Sequence, residues 1–136
     1  MATEARTLVE RWLEAGDSAD LDAFDDYLHQ DVVVHAPLGL STTGLEAERD
    51  VWRAALDAIP DLRHAVQEVV IEGNTIAVRV IVTGTLLGEF AGIPATGRAF
   101  EIDQTVFAHV RDGKLKEIWE VADIARVLRN PDQVIS

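Results

Sequence analysis

Residues 106–128 read VFAHVRDGKLKEIWEVADIARVL. Apolar and polar residues alternate on both sides of Arg111-Asp112-Gly113, the pattern of two strands joined by a tight hairpin. The second run gives way at Asp123 to a short helical stretch ending near Leu128. Asp123 comes just after Trp119 and Val121, where a strand is still expected to be covered by the core. Two readings of it stay open. Aspartate is a favoured N-cap and can open the final helix. It can also be an acid held in an apolar cavity, where desolvation raises its pKa.

Register decides which side chains meet Asp123. A two-residue turn at Asp112-Gly113 pairs Arg111 with Lys114 and puts His109 and Asp123 on opposite faces. A three-residue loop with Gly113 in the left-handed bulge position pairs Val110 with Lys114 instead. His109, Phe107 and Thr105 then share a face with Leu115, Trp119, Val121 and Asp123. The other face carries Phe100, Ile102, Val106, Ala108 and Val110, with Ile118 across from them. A slip of one residue exchanges the faces, so both registers are physically possible. The bulged one is preferred here. It separates a mixed face suited to a ligand cavity from an aliphatic face suited to a second subunit. The alternative is that the aliphatic face packs on the chain's own helices.

Upstream, the spacing predicts helices before strands. Leu8, Val9, Trp12 and Leu13 share one face of a helix over 3–15, which Gly16 can end. Asp17 or Ser18 can cap a short second helix with Leu21, Phe24 and Leu28 inward. Asp31 to His35 reads as a strand stopped by Pro37 and Gly39. Thr43 and Glu46 form a capping box for a helix aligning Leu45, Trp52, Ala55, Leu56 and Ile59, ended by Pro60. The period then changes to two, with strands expected at 62–72, 75–87, 97–111 and 114–122 and a tail from Asn130-Pro131. The expected fold class is α+β: a curved, cone-shaped antiparallel sheet with the N-terminal helices across its concave face, in a single domain over 1–136.

The bulk properties narrow the function. The net charge is -12 over 136 residues, which argues against nucleic acid and anionic membrane surfaces as partners. There are no cysteines, so disulfides and thiolate metal sites are excluded. The charged start MATEARTLVERWLEAG lacks a signal-peptide core, and the expected location is cytoplasmic.

The runs IPDLRHAVQEVVIEGNTIAVRVIVTGT, GEFAGIPATGRAFEID and DGKLKEIWEVAD resemble the SnoaL-like polyketide cyclases, of the nuclear transport factor 2-like (cystatin-like) superfamily. The resemblance covers roughly His35 to Leu128. It implies an α+β cone and ring closure by intramolecular aldol condensation, with no metal or organic cofactor. It also implies that Asp123, after E-x-W, is the acid/base residue, with His109 fourteen residues earlier as the pocket histidine and His35 lining the pocket from the end of the first strand. The chain departs from the group at Leu86, where a histidine commonly follows Gly-Thr, and at Ala95, where a second proline is common.

The chemistry suits those residues. A carboxylate near Trp119 and Val121 would be a stronger base for a proton next to a carbonyl, and an imidazole such as His109 could donate to the developing oxyanion. Phe107, Trp119, Val121 and Trp52 are expected to wall the pocket, with a small apolar carbonyl compound as ligand. A homodimer is expected through the aliphatic strand face. His109 can instead be a core or interface histidine, and His35 a strand-end polar group. His29 and His64 are expected at the surface, and Arg79 and Arg98 as ion-pair partners. Isomerase or epoxide hydrolase chemistry on the same fold is the alternative enzyme reading, and a non-catalytic binding or dimerisation module the alternative outside enzymes. An iron site from His35, His109 and Asp123 is conceivable but is not expected.

Overall fold

The computed structural model describes residues 2–128, and the side chains of residues 8–125 and of Val127. The tail expected from Asn130 lies outside the described residues. Helix α1 spans Ala2–Asp17, a 3-10 turn Leu21–Ala23, and α2 Phe24–Tyr27. Strands β1 (Leu28–His35) and β2 (Thr42–Thr43) precede α3 (Leu45–Ala58). Then follow β3 (Arg63–Glu72), β4 (Thr75–Thr85), β5 (Ala99–Arg111), β6 (Lys114–Ala122) and α4 (Ala125–Leu128). The strands form one six-stranded sheet in the order β2-β1-β6-β5-β4-β3. The chain is α+β, with a curved sheet and helices on one face. The sheet is mixed rather than antiparallel throughout, because β1 runs parallel to β6.

Three expected helix ends differ, the first being the 3-10 turn after α1, whose N-cap is Asp20 and not Asp17 or Ser18. Gly16 lies inside α1, and a Cβ there would sit 2.2 Å from the Trp52 ring, so this glycine is a contact surface for the indole. At α3 the N-cap is Gly44, at φ 97°, and not Thr43. The Thr42 hydroxyl donates instead to Glu48 Oε1 over 2.8 Å.

The hairpin at Asp112-Gly113 opens in the first expected register and reaches the face assignment of the second by a bulge elsewhere. Arg111 pairs with Lys114 through a two-residue turn, with φ 53° at Asp112 and 78° at Gly113. These left-handed values belong to a type I′ turn. One step later the ladder shifts: Val110 pairs with Leu115 but His109 with Glu117, leaving Lys116 as the extra residue of a bulge. The cause is burial. Leu115 and Ile118 are three apart, an odd spacing that a regular strand would send to opposite faces. The bulge turns both into the core, where both are fully buried. Leu115 therefore leaves the mixed face to which the sequence assigned it.

Leu115 apart, each face has its expected members, but their roles are exchanged. The aliphatic side of the sheet packs on the chain's own helices. Ile76, Val78, Val80 and Val82 of β4, Ile102, Val106 and Ala108 of β5, and Ile118 of β6 form one core with Val9, Trp12 and Leu13 of α1, Phe24, and Trp52 of α3. The apolar stripes of α1 and α3 need an apolar partner, and only this face can bury them without stranding polar groups. The mixed face, with Thr105, Phe107, His109, Trp119, Val121 and Asp123, lies on the outer side of the sheet. Phe107 and Val121 are 43% and 70% exposed.

Candidate functional site

Between α3 and the inner face of the sheet lies a cavity of ≈ 150 Å³. Apolar side chains make most of its wall, among them Val51, Trp52 and Ala55 of α3, Ile102 of β5, Ala122 of β6, and Leu86 and Ile93 beyond β4. Four polar residues interrupt it: Glu48, His64, Gln104 and Glu120. Glu48 arrives with Leu45, Trp52 and Ala55 on the buried face of α3 and is only 3% exposed. Both of its oxygens are held. Thr42 donates to Oε1, and the Trp52 indole N–H donates to Oε2 over 3.1 Å. Trp52 is fixed in turn by edge contacts with Trp12 and Phe24.

Glu120 and Gln104 come from the sheet. Glu120 pairs with Val106, and Gln104 with Ala122, so both project into the cavity from the otherwise aliphatic face. The Gln104 carboxamide oxygen is buried without a hydrogen-bond partner. The two carboxyl groups feel each other. Burial pushes Glu48 up to about 7, against the lowering effect of Thr42 and Trp52. Burial, reinforced by the charge on Glu48, pushes Glu120 up to about 8. Burial and their mutual repulsion therefore favour a proton shared by the pair at neutral pH.

His64 completes the wall and is not the surface residue its neighbours suggested. Its side chain is 8% exposed and that of Asp17 16%. Asp17 Oδ2 accepts the His64 backbone N–H over 2.6 Å, and Oδ1 lies 2.7 Å from the ring Nδ1. The imidazole rests tilted against the Trp52 ring at 5.3 Å.

Of the residues expected to make the pocket, only Trp52 lines it. Asp123 is exposed and stands outside the cavity, its amide donating to the Asp103 carbonyl as the ladder ends. His109 sits opposite Glu117, six residues along β6 from Asp123, or ~20 Å of strand. The structure does not bring these two together. It does gather His35, Phe107, His109 and Trp119 on the outer face. His35 stacks on Trp119 at 5.2 Å and lies 2.7 Å from Glu117 Oε2, while His109 and Phe107 meet the same indole edge-on. Val121 is on that outer face too, and exposed. Among the described residues no group of three or more His, Cys, Asp or Glu could hold a metal ion. Also among them, no helix is long and apolar enough to cross a membrane.

The sequence pattern of the SnoaL-like polyketide cyclases matches residues 6–130. The chain belongs to this family. Solved structures agree. IdmH from Streptomyces antibioticus, described as a candidate polyketide cyclase, is 30% identical, covers 91% of this chain and 95% of its own, and has a TM-score of 0.80. TsrD from Streptomyces laurentii is 25% identical over 93% of each chain, with a TM-score of 0.84. AclR from Streptomyces galilaeus, described as a candidate hydroxylase, is 25% identical over 94% of this chain and 95% of its own, at 0.80. No curated protein sequence matches the chain.

Proposed function

We propose that this SnoaL-like protein catalyses intramolecular aldol ring closure of a polyketide-type carbonyl compound, by acid/base chemistry that needs no metal or organic cofactor. The observation that carries the reading is the pair of carboxyl groups, Glu120 and Glu48, that projects into an apolar cavity, where burial pushes Glu120 up to about 8. A carboxylic acid that stays neutral at pH 7 can donate a hydrogen bond to a carbonyl oxygen and to the enolate or alkoxide that follows. In water the same group would be ionised and useless for this. Trp52, Ile102 and Phe100 supply flat and branched apolar surface on which a chain can fold so that its two reacting carbons meet. Glu48, with both oxygens already occupied, supports Glu120 through its charge, which holds the proton there.

The test follows the elementary step, removal of a proton next to a carbonyl. Exchange of the α-protons of 2-tetralone in D₂O can be followed by NMR. The protein should accelerate it, and Glu120→Gln should lower the accelerated rate by ~10²-fold. Full rate in the variant refutes the reading. A cytoplasmic location and a homodimer belong to the same proposal. The cysteine-free sequence suits a reducing compartment. The dimer would use the outer sheet face around Phe107 and Val121, since the aliphatic face is covered.

A further inference from the structure

His64 has a feature that packing alone does not require: a ring nitrogen held 2.7 Å from the Asp17 carboxylate, which also takes its backbone N–H. Asp17 lies in an outer cleft, together with Glu14, Ser18, Asp61 and Arg63. His64 lines both that cleft and the inner cavity. Its Nδ1 is turned to Asp17, which leaves Nε2 as the ring nitrogen that can serve the cavity. A carboxylate beside Nδ1 keeps the proton there and leaves Nε2 an acceptor. Among the described residues His64, Glu48 and Glu120 are the titratable groups of the cavity wall. Burial raises the Glu120 carboxyl, and Glu48 is almost wholly buried with a donor on each oxygen. His64 is the nitrogen base among them.

We propose that His64 is the catalytic base of this cavity and Asp17 its positioning residue. The inference rests on the acid/base reading above and assigns the group that reading leaves open. The carbon–hydrogen bond next to the substrate carbonyl breaks, and the proton goes to His64 Nε2. The electron pair becomes an enolate whose oxygen takes the hydrogen bond of Glu120. The enolate carbon bonds to the second carbonyl carbon, and the alkoxide formed there takes the proton back. Protons and electrons balance, and no other reactant is required.

The Asp17 contacts provide a sharp test. One oxygen accepts the His64 backbone N–H, which cannot reverse its role. In Asp17→Asn the single amide oxygen must stay on that N–H, so the NH₂ faces Nδ1. Nδ1 must then be the unprotonated nitrogen, and the proton moves to Nε2. The variant keeps the shape and abolishes the base. ¹⁵N NMR of the imidazole should show an unprotonated Nε2 in the wild type and a protonated one in Asp17→Asn. Exchange of 2-tetralone should fall ~10²-fold in kcat, with KM little changed. A wild-type ring already protonated at Nε2 overturns the proposal, as does a variant whose tautomer flips while the rate holds. A measurement without turnover uses 2-naphthol, a stable mimic of the enol. Its binding, followed by tryptophan fluorescence, should move the Nε2 resonance; binding with no movement overturns the proposal, and so does absence of binding. The two readings fail separately. A slow Glu120→Gln beside a full-rate His64→Gln sinks the histidine alone, and the reverse sinks the assignment of Glu120.

Discussion

Glu120→Gln also tests the cavity thermodynamically, with no substrate at all. A folded-state pKa of about 8, against an ordinary 4.5, means that the folded protein binds more protons than the unfolded chain between those pH values. Stability must then fall as pH rises through that window. It is fully present below the unfolded value and lost by about pH 9. Each unit of displacement is worth about 1.4 kcal/mol, so the full displacement corresponds to ~5 kcal/mol, and to ~3 kcal/mol at pH 7. Water drawn into the cavity as the carboxyl ionises reduces this, and ~2–4 kcal/mol is the working expectation above pH 9. Glutamine has the same shape and never ionises. Urea unfolding at pH 5, 7 and 9, with unchanged m, should show wild type and variant close together at pH 5. The variant should then become progressively the more stable as pH rises. Some slope should remain in it, because Glu48 is raised as well. A stability difference independent of pH would show that the Glu120 carboxyl is hydrated, and the acid in the cavity would be lost as an explanation.

Asp123→Asn is expected to change stability by less than about 0.5 kcal/mol and to leave the 2-tetralone rate intact, since the side chain is exposed and outside the cavity. A loss near that of Glu120→Gln would restore Asp123 to the site. Ile118→Lys should unfold the chain, not merely dissociate a dimer, because the residue is fully buried in its own core; thermal melting checks this. Val121→Lys should leave the fold untouched and weaken the homodimer, read by sedimentation at micromolar concentration; a wild-type monomer near 14.9 kDa would refute the dimer.

Much of the fold was legible because two periods and a few turn residues carry it. The change from helical to alternating spacing after Pro60 falls where α3 gives way to β3. The turn at Asp112-Gly113 lies where glycine and its polar neighbour ask for left-handed backbone. The parallel placement of β1 was not legible. His35 lies beside Trp119, more than eighty residues later, and no local pattern encodes such a pairing. The bulge at Lys116 was nearly readable, since burying both Leu115 and Ile118 requires one extra residue between them.

The cavity was not legible for a reason that lies in the choice of face. The sequence pattern alone points to the polar and aromatic face as the ligand side and leaves the aliphatic face for a partner subunit. Yet α1 and α3 each present an apolar stripe, with Trp12 and Trp52 at their centres, and burying these large rings outweighs any preference for a decorated face. Once the helices claim the aliphatic face, the informative residues become the polar ones that interrupt it. Those are Gln104 among Ile102, Val106 and Ala108, and Glu120 between Ile118 and Ala122. Glu48, in line with Leu45, Trp52 and Ala55, is the same anomaly on a helix. The spacing of fourteen residues has a direct meaning in this hairpin. It belongs to a single cross-strand pair, Val106 and Glu120, on the cavity face. No histidine stands opposite the acid on this sheet face. The imidazole of the cavity comes instead from β3, where Asp17 at the end of α1 anchors it. That contact spans 47 residues. It depends on α1 lying across β3, a packing relation that the sequence around His64 does not contain.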